Sequence, residues 1–353
     1  MTKRRSRWPQ NLAVLAVTSL LCFGVAELAL RLVAPVQTFV NPLRSFHRHD
    51  PDLGWTGTPN LKARFRHVDF DVLVRSDVNG FRERQTTNAP GPGSPLCLVL
   101  GDSYTWGWGV ENGEVFTDVM QNELGSLADV RNCGVNAYGT LQELLLLQRC
   151  LTNVLRPRLV IVMFCFNDFY DNINPAAVRP SLAVDGARVT LRNHPVAERI
   201  EGWSGNLVKQ SHLLSAIDYM FAFAKENRRT TELQRQTFPN HTVAAGPRTA
   251  MAYTLAGFKQ TCAHAGAGLW FVRVPAFSEV PPGADSETSD TLKTLCDQAG
   301  VQLLELAPEF RAAGDRPLDF YFPHDAHWTA KGHQLVGRML AGRIRQELAP
   351  AGR

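Results

Sequence analysis

The chain has 353 residues, 44% hydrophobic and 20% charged, a balance that suits a folded protein with a real core and excludes a disordered one. Its formal charge of +4 resides in residues 1–10, "MTKRRSRWPQ", where Lys3, Arg4, Arg5 and Arg7 stand without an acid. The remainder is neutral overall, which gives no support to nucleic-acid binding.

The first predicted element comes directly after that basic cluster. Residues 12–33, "LAVLAVTSLLCFGVAELALRLV", hold one acid and one base, both near the end. As a helix the segment rises about 33 Å, enough to cross a hydrocarbon core of about 30 Å. Basic residues ahead of it hold the N-terminus in the cytoplasm and send the downstream chain outside. The expected organisation is a basic cytoplasmic tail (1–11), a transmembrane signal-anchor (12–33), a linker and N-terminal strand region (34–95), and a main domain over 96–348 with an insertion at about 170–247. A cleaved signal is the rival, because "GVAE" offers small residues for cutting after Ala26. Cys22 follows Leu21 and so lacks the small residue of a lipoprotein signal. Either reading exports the rest. The expected location is a single pass through the inner membrane, with the main domain on the periplasmic or extracellular side. Glu27 and Arg31, four residues apart, are expected to pair near the outer interface.

Pro35 and residues 41–55, "NPLRSFHRHDPDLGW", read as linker and loop. Val68, Phe70, Val72 and Val74 alternate, predicting a strand before the "NGFR" turn at 79–82, and "TTNAPGPGSP" at 86–95 reads as a connector. Beyond it the pattern becomes strand, loop, helix, repeated. Strands are expected at 96–101, 129–134, 158–165, 268–274 and 301–306, and helices at about 114–126, 140–154, 248–264, 286–299 and 329–347. Continuous apolar runs such as "LVIVMFCF" mark strands buried on both faces. The fold class is therefore α/β: a flavodoxin-like three-layer α/β/α arrangement around a parallel sheet of about five strands, preceded by the transmembrane helix. Within 170–247, "SLAVDGARVTL" predicts a hairpin turning on Asp185-Gly186, and residues 211–229 predict an amphipathic helix with a basic end. The interval reads as an insertion near the site, a lid in expectation. Asn240 opens a glycosylation sequon that matters only in a eukaryotic secretory host. The seven cysteines form no CxxC pattern. Cys97, Cys133 and Cys165 read as buried hydrophobes, and a Cys262–Cys296 bridge stays open.

Each expected strand end carries polar residues that chemistry can use. After the first stand Gly101, Asp102 and Ser103, within "LVLGDSYTWGWGV". After the second comes the Gly-rich turn "NCGVNAYGT" (132–140), after the third Phe166-Asn167-Asp168, and before the last helix "HDAHWTAKGH" (324–333). Acyl transfer needs a nucleophile, a base, an orienting group and oxyanion donors, and these stretches supply all four. Trp106 and Trp108 either line an acyl or sugar site or pack beneath the insertion.

In these blocks the chain resembles the SGNH (GDSL) hydrolase superfamily over roughly residues 50–347. The basic N-terminus, the Glu27-to-Arg31 "ExxxR" membrane segment and the "NGFR" turn resemble its membrane-anchored bacterial branch. The resemblance implies Ser103 as nucleophile and, through its own N–H, oxyanion donor; Asn167 as side-chain oxyanion donor; His327 as general base; and Asp325 as the acid that orients it. Where the family usually has a glycine in the second block this chain has Ala137, whose backbone N–H survives as a donor while its Cβ narrows the pocket. Cys165 stands where a glycine usually precedes the asparagine by two. The family commonly places its aspartate three residues before the histidine, which here is His324; electrostatics favours Asp325, because a protonated His324 would oppose the imidazolium forming at His327. Asp102 reads as a structural acceptor, His333 as helix packing, and Thr329 as the N-cap of the last helix.

The implied function is an exported, membrane-anchored serine esterase cleaving or transferring an acyl group, acetyl in expectation, with no cofactor and no metal. Its expected partners are an acyl ester, an acylated carbohydrate among the options, and the membrane. An O-acyltransferase acting on cell-envelope polysaccharide stays open, as does a catalytically inactive envelope binding module. A nucleotide-binding domain lacks both GxGxxG and GxxxxGK[ST]. A metal hydrolase using His324, Asp325, His327 and His333 would leave Ser103 and Asn167 without a role.

Overall fold

The computed structural model describes residues 7–33, 45–152, 155–176, 178–198, 207–208, 210–221, 243–281, 287–313, 316 and 319–348. Lys3, Arg4 and Arg5, the stretch 34–44, the end of the expected 211–229 helix and Asn240 lie outside them. The apolar run forms α1 (Trp8–Val33), none of whose residues is buried and which is long and apolar enough to cross a membrane.

Two small antiparallel hairpins come next: β1 (His47–Asp50) with β2 (Gly54–Gly57), and β3 (Lys62–Arg66) with β4 (Asp71–Arg75). The first corrects the expectation of loop over 41–55. "HRHD" has no apolar alternation to announce a strand, and long-range contacts supply what the local pattern lacks. Arg149 holds both oxygens of Asp50 at 2.7 Å, and the Trp55 indole N–H donates to the Asn136 carbonyl at 3.0 Å. The second corrects the strand expected from Val68. That residue is 54% exposed between the two strands, and pairing starts only at Asp71.

The main sheet has five parallel strands in the order β11 (Gln302–Glu305), β10 (Gly268–Arg273), β7 (Leu159–Phe164), β5 (Leu96–Gly101), β6 (Asp129–Gly134). Alternation along the central strands sorts side chains to two cores. Val99, Ile161 and Met163 pack with α3 (Phe116–Leu124), α8 (Ala307–Ala312) and α9 (Ala330–Leu348). Leu98, Leu100, Val160 and Val162 pack with α4 (Thr140–Thr152), α6 (Ala245–Ala265) and α7 (Glu287–Ala299). Every residue of β7 is buried, so truncating Ile161 to Ala should cost about 2–5 kcal/mol. All seven cysteines are free thiols, so Cys262 and Cys296 are not bridged.

The expected hairpin of the insertion is β8 (Ser181–Asp185) with β9 (Arg188–Arg192). It is seated on the domain through Leu182, which packs with Leu141 of α4 and Ala250 of α6. Residues 212–221 are helical.

The strand order places the site. β5 is flanked by β6 on one side and β7 on the other, with Gly101 level with Gly134 and with Met163. Chain leaving the carboxyl end of β5 therefore enters the crevice where the order reverses, the usual place for a site in such sheets.

Candidate active site

Gly101 ends β5 so tightly that a Cβ there would meet Thr105 Oγ1 at 2.1 Å. Asp102 then caps α2 (Ser103–Trp106), its carboxylate accepting the Tyr104 N–H at 2.9 Å. This turn sets Ser103 at the start of a helix, where its backbone N–H is not used by the helix and can face an anion. α2 lies hard against β6: a Cβ on Gly134 would sit 2.4 Å from the Trp106 nitrogen.

The final loop brings the other partners to Ser103. Its Oγ lies 2.7 Å from His327 Nε2. On the opposite edge of the ring, His327 Nδ1 is hydrogen-bonded to Asp325 Oδ1. Two residues so close in sequence can meet in this way because Ala326 between them has φ +64°, folding the loop back on itself. A non-glycine residue in this region is strained by about 1–2 kcal/mol. The surroundings hold it there: the Tyr104 hydroxyl donates to the Ala326 carbonyl at 2.8 Å, and the Phe322 N–H donates to the His327 carbonyl at 2.8 Å. Thr329 stands where the expected N-cap of α9 would, its hydroxyl accepting the Gly332 N–H at 3.4 Å.

Trp108 completes the set. Its indole N–H donates to Asp325 Oδ2 at 2.9 Å, and its ring stacks on His327 with centroids 5.5 Å apart. Both oxygens of Asp325 are therefore engaged. Burial would raise its pKa, yet the His327 charge and hydrogen bond and the Trp108 donor together hold it below the ordinary carboxylate range. For His327, burial would lower the proton affinity, and the charge and hydrogen bond of Asp325 outweigh it, so its pKa is raised above the usual histidine value.

His324 is turned away from this group. Its Nδ1 lies 2.6 Å from Asp69 Oδ1 and its backbone N–H donates to Asp69 Oδ2 at 2.9 Å. His333 is buried in packing, its ring parallel to Phe116 and its Nδ1 accepting the Phe116 N–H at 3.2 Å; burial pushes its pKa down to about 3. The quartet His324, Asp325, His327 and His333 is thus not brought to one point.

The flanking strands supply the remaining residues. Beyond β6, Ala137 takes φ +61°, the left-handed geometry suited to the glycine the family usually carries. Beyond β7, Asn167 opens α5 (Asp168–Asp171), and its Nδ2 donates one hydrogen to Asp171 Oδ2 at 2.7 Å, leaving the second free. Arg179, 9% exposed, ties the two loops: Nη1 lies 2.9 Å from Asp171 Oδ1, Nη2 donates to the Ala137 carbonyl at 3.1 Å, and the guanidinium lies over Trp55. Asn172 adds a second tie, its Oδ1 accepting from the Leu141 N–H and its Nδ2 donating to Thr140 Oγ1.

A group of buried carboxyls lies behind these loops. Asp102 is 4% exposed, and burial pushes its pKa up to about 6 against the pull of the Tyr104 N–H and the Cys165 thiol. Asp168 and Glu143 are fully buried and raised well above the usual range, chiefly by burial. Both Glu143 oxygens and Asp168 Oδ1 have no hydrogen-bond partner among the described residues.

The residue pattern points to Ser103, Asp325 and His327, and the structure brings these three together. The pattern does not reveal the clamps. Trp108 reads in it only as a lining or packing residue, and nothing local marks Asp69, Tyr104 or Arg179, because only spatial neighbours reveal a hydrogen bond that supports a site from behind. Trp106 packs between Phe46 and Arg82 and backs the Trp108 ring, with centroids 6.2 Å apart.

A family model, the GDSL-like lipase/acylhydrolase family, matches residues 99–335. Among solved structures, the esterase EstA from Pseudoalteromonas sp. is 13% identical with a TM-score of 0.42, over 73% of this chain and 100% of that one. The acetyl xylan esterase AlAXEase is 11% identical with a TM-score of 0.41, over 70% and 99%. The α/β hydrolase enzyme LAE5, from the metagenome of Lake Arreo, is 13% identical with a TM-score of 0.42, over 72% and 96%. No curated protein matches the chain. The family match spans more than half of the chain and takes in Ser103, Asn167 and His327, so this protein belongs to the GDSL-like lipase/acylhydrolase family and is an ester-hydrolysing enzyme.

Proposed function

We propose that this enzyme is an exported, membrane-anchored serine esterase that works through an acyl-Ser103 intermediate on small acyl groups, acetyl first among them. The observation that carries the reading is the continuous chain from Ser103 Oγ to His327 Nε2 at 2.7 Å and from His327 Nδ1 to Asp325. In the first half-reaction Ser103 Oγ bonds to the ester carbonyl carbon while its proton passes to His327 Nε2. The carbonyl oxygen becomes an oxyanion, met by the backbone N–H groups of Ser103 and Ala137 and by the free amide hydrogen of Asn167. The carbon–oxygen bond to the alcohol then breaks, and the leaving oxygen takes the proton from Nε2. Water repeats the sequence on the acyl-serine, returning the Ser103 hydroxyl and releasing the acid. Asp325 keeps its charge throughout, fixing the Nδ1–H tautomer and stabilising the imidazolium.

The small-acyl assignment is supported by Ala137, whose Cβ occupies space that a glycine would leave open. The membrane assignment is supported by α1 and the basic residues ahead of it. Turnover of p-nitrophenyl acetate by the full-length protein tests the mechanism: Ser103→Ala should abolish it without shifting Tm, and mass spectrometry should find the acetyl group on Ser103 in the wild type. Substantial activity in Ser103→Ala that a chelator removes would overturn it.

A further inference from the structure

Outside the site, the contact that joins α1 to the insertion has no part in the chemistry. Glu27 turns its carboxylate onto the start of the helix at 212–221. One oxygen accepts the Leu213 N–H at 2.8 Å and the Ser211 hydroxyl at 2.8 Å, and the other accepts the His212 N–H at 3.1 Å. Arg31 pairs with Glu27 at 2.7 Å and donates to the Gln210 carbonyl at 2.7 Å. A carboxylate on the free N–H groups of a helix start is a stabilising cap, so the insertion helix is docked on α1 at Glu27.

The level of that dock along α1 matters. Nineteen steps separate Trp8 from Glu27, a rise of about 29 Å, close to the hydrocarbon thickness of about 30 Å. With Trp8 in the belt where aromatic rings sit, Glu27 falls at the opposite interface. The docked helix carries an apolar stripe that starts just over one turn beyond the dock. Ile217, Met220 and Phe221, spaced i, i+3, i+4, are 42%, 69% and 75% exposed. Its other side is held by the protein: Ser215 is buried, and the Tyr219 hydroxyl donates to the Arg66 carbonyl at 3.3 Å.

We propose that the helix at 212–221 lies in the outer membrane–water interface, with Ile217, Met220 and Phe221 immersed in the lipid of the bilayer that α1 crosses. The occupant of the stripe is lipid because the helix that bears it is fastened to α1 at Glu27, at the outer end of the span that begins at Trp8. An interfacial helix of this kind buries one apolar face about 5–10 Å into the headgroup boundary. A consequence reaches the site. Tyr219 grips Arg66 at the end of β3, and Asp69, in the turn that follows, holds His324, three residues before His327. The loop bearing the catalytic base is thereby braced against the membrane-facing helix, which sets the rim of the active site beside the bilayer and favours acyl esters presented at the lipid surface.

The proposal rests on α1 being a membrane anchor, and the experiment separates the two. Full-length protein with Cys22→Ser, whose remaining cysteines are buried, is reconstituted in phosphatidylethanolamine–phosphatidylglycerol vesicles with an NBD label at one introduced cysteine. Phe221→Cys reads the helix, Leu20→Cys reads α1, and Leu127→Cys, on the exposed surface of the domain, reads water. The label at 221 should be several-fold less accessible to iodide than that at 127 and be quenched by nitroxide lipids labelled near the headgroup, while that at 20 is quenched by lipids labelled deep in the chain. Glu27→Gln should lower the quenching at 221 and leave that at 20 unchanged. A label at 221 as open to iodide as that at 127, with 20 still quenched, overturns the interfacial helix and leaves the anchor standing. No quenching at 20 overturns the anchor itself.

Discussion

Two groups of buried carboxyls, one on each side of Ser103, meet opposite fates. Asp325 has a donor on each oxygen, His327 on one and Trp108 on the other, and is held ionised despite burial. Glu143 and Asp168, behind the loops that follow β6 and β7, are buried completely where the Asp325 side chain keeps 11% exposure; among the described residues they lack donors on three of their four oxygens, and burial drives them towards the neutral acid. Burial alone does not decide the charge of these carboxyls: at Asp325 the charge of His327 and the two donors outweigh it, and at Glu143 and Asp168 nothing comparable does.

The largest effect should come from taking the charge out of the first group. Asp325→Asn keeps the shape but loses both the tautomer control and the field on His327, and should lower kcat by about 10³–10⁴-fold. The pH profile adds a signed check. In the proposed mechanism His327 is neutral when it accepts the Ser103 proton, so kcat/KM should fall as pH drops through its pKa, raised above the usual histidine value. In Asp325→Asn, the chief influence opposing burial is lost, Asp102 alone remaining among the charges that raise it, and that acidic limb should move to lower pH. An unmoved limb would mean that Asp325 does not set the base.

Removing one donor and leaving the charge is the next test. Trp108→Phe keeps a ring to stack on His327 and deletes the hydrogen bond to Asp325 Oδ2, worth about 1.5–3 kcal/mol to a charged acceptor. A fall in kcat of about 10–100-fold is expected, with circular dichroism and Tm near wild type. A change under twofold would show that one partner suffices to hold Asp325.

The second group makes the opposite prediction, in stability. The folded-state pKa of Glu143 is raised above its unfolded value, so its contribution is fully present below about pH 4.5 and is lost as pH rises towards the folded value. Glu143→Gln should therefore match wild type in thermal unfolding near pH 4.5 and become more stable by about 1–3 kcal/mol at pH 8. Destabilisation at pH 8 would mean that the carboxylate is ionised and partnered after all.

The smallest effect should come from His324→Gln. It bonds to Asp69, not to His327, and its side chain is 48% exposed, so kcat should change less than about tenfold. A loss as large as that of Asp325→Asn would hand the orienting role to His324.

The five sheet strands and their helices were legible in the residue pattern because buried parallel strands are continuously apolar and strands end on turn residues. Leu96–Gly101 and Leu159–Phe164 are such runs. Ser103, Asn167, Asp325 and His327 stood out as candidates from the order of their blocks and the family resemblance, with electrostatics choosing Asp325 over His324, and the fold brings Ser103, His327 and Asp325 into contact. What came only from the tertiary structure is everything that depends on neighbours distant in sequence. His47–Asp50 pairs as a strand because Arg149, far along the chain, holds Asp50. Val68 obeys the alternation yet sits in a turn, because pairing with β3 starts only at Asp71. Trp108 reaches a carboxylate 217 positions away, and Glu27 caps a helix start 185 positions away. Periodicity and composition record which face a side chain prefers; only the closed fold determines which donor a buried carboxyl finds, and so whether it carries its charge.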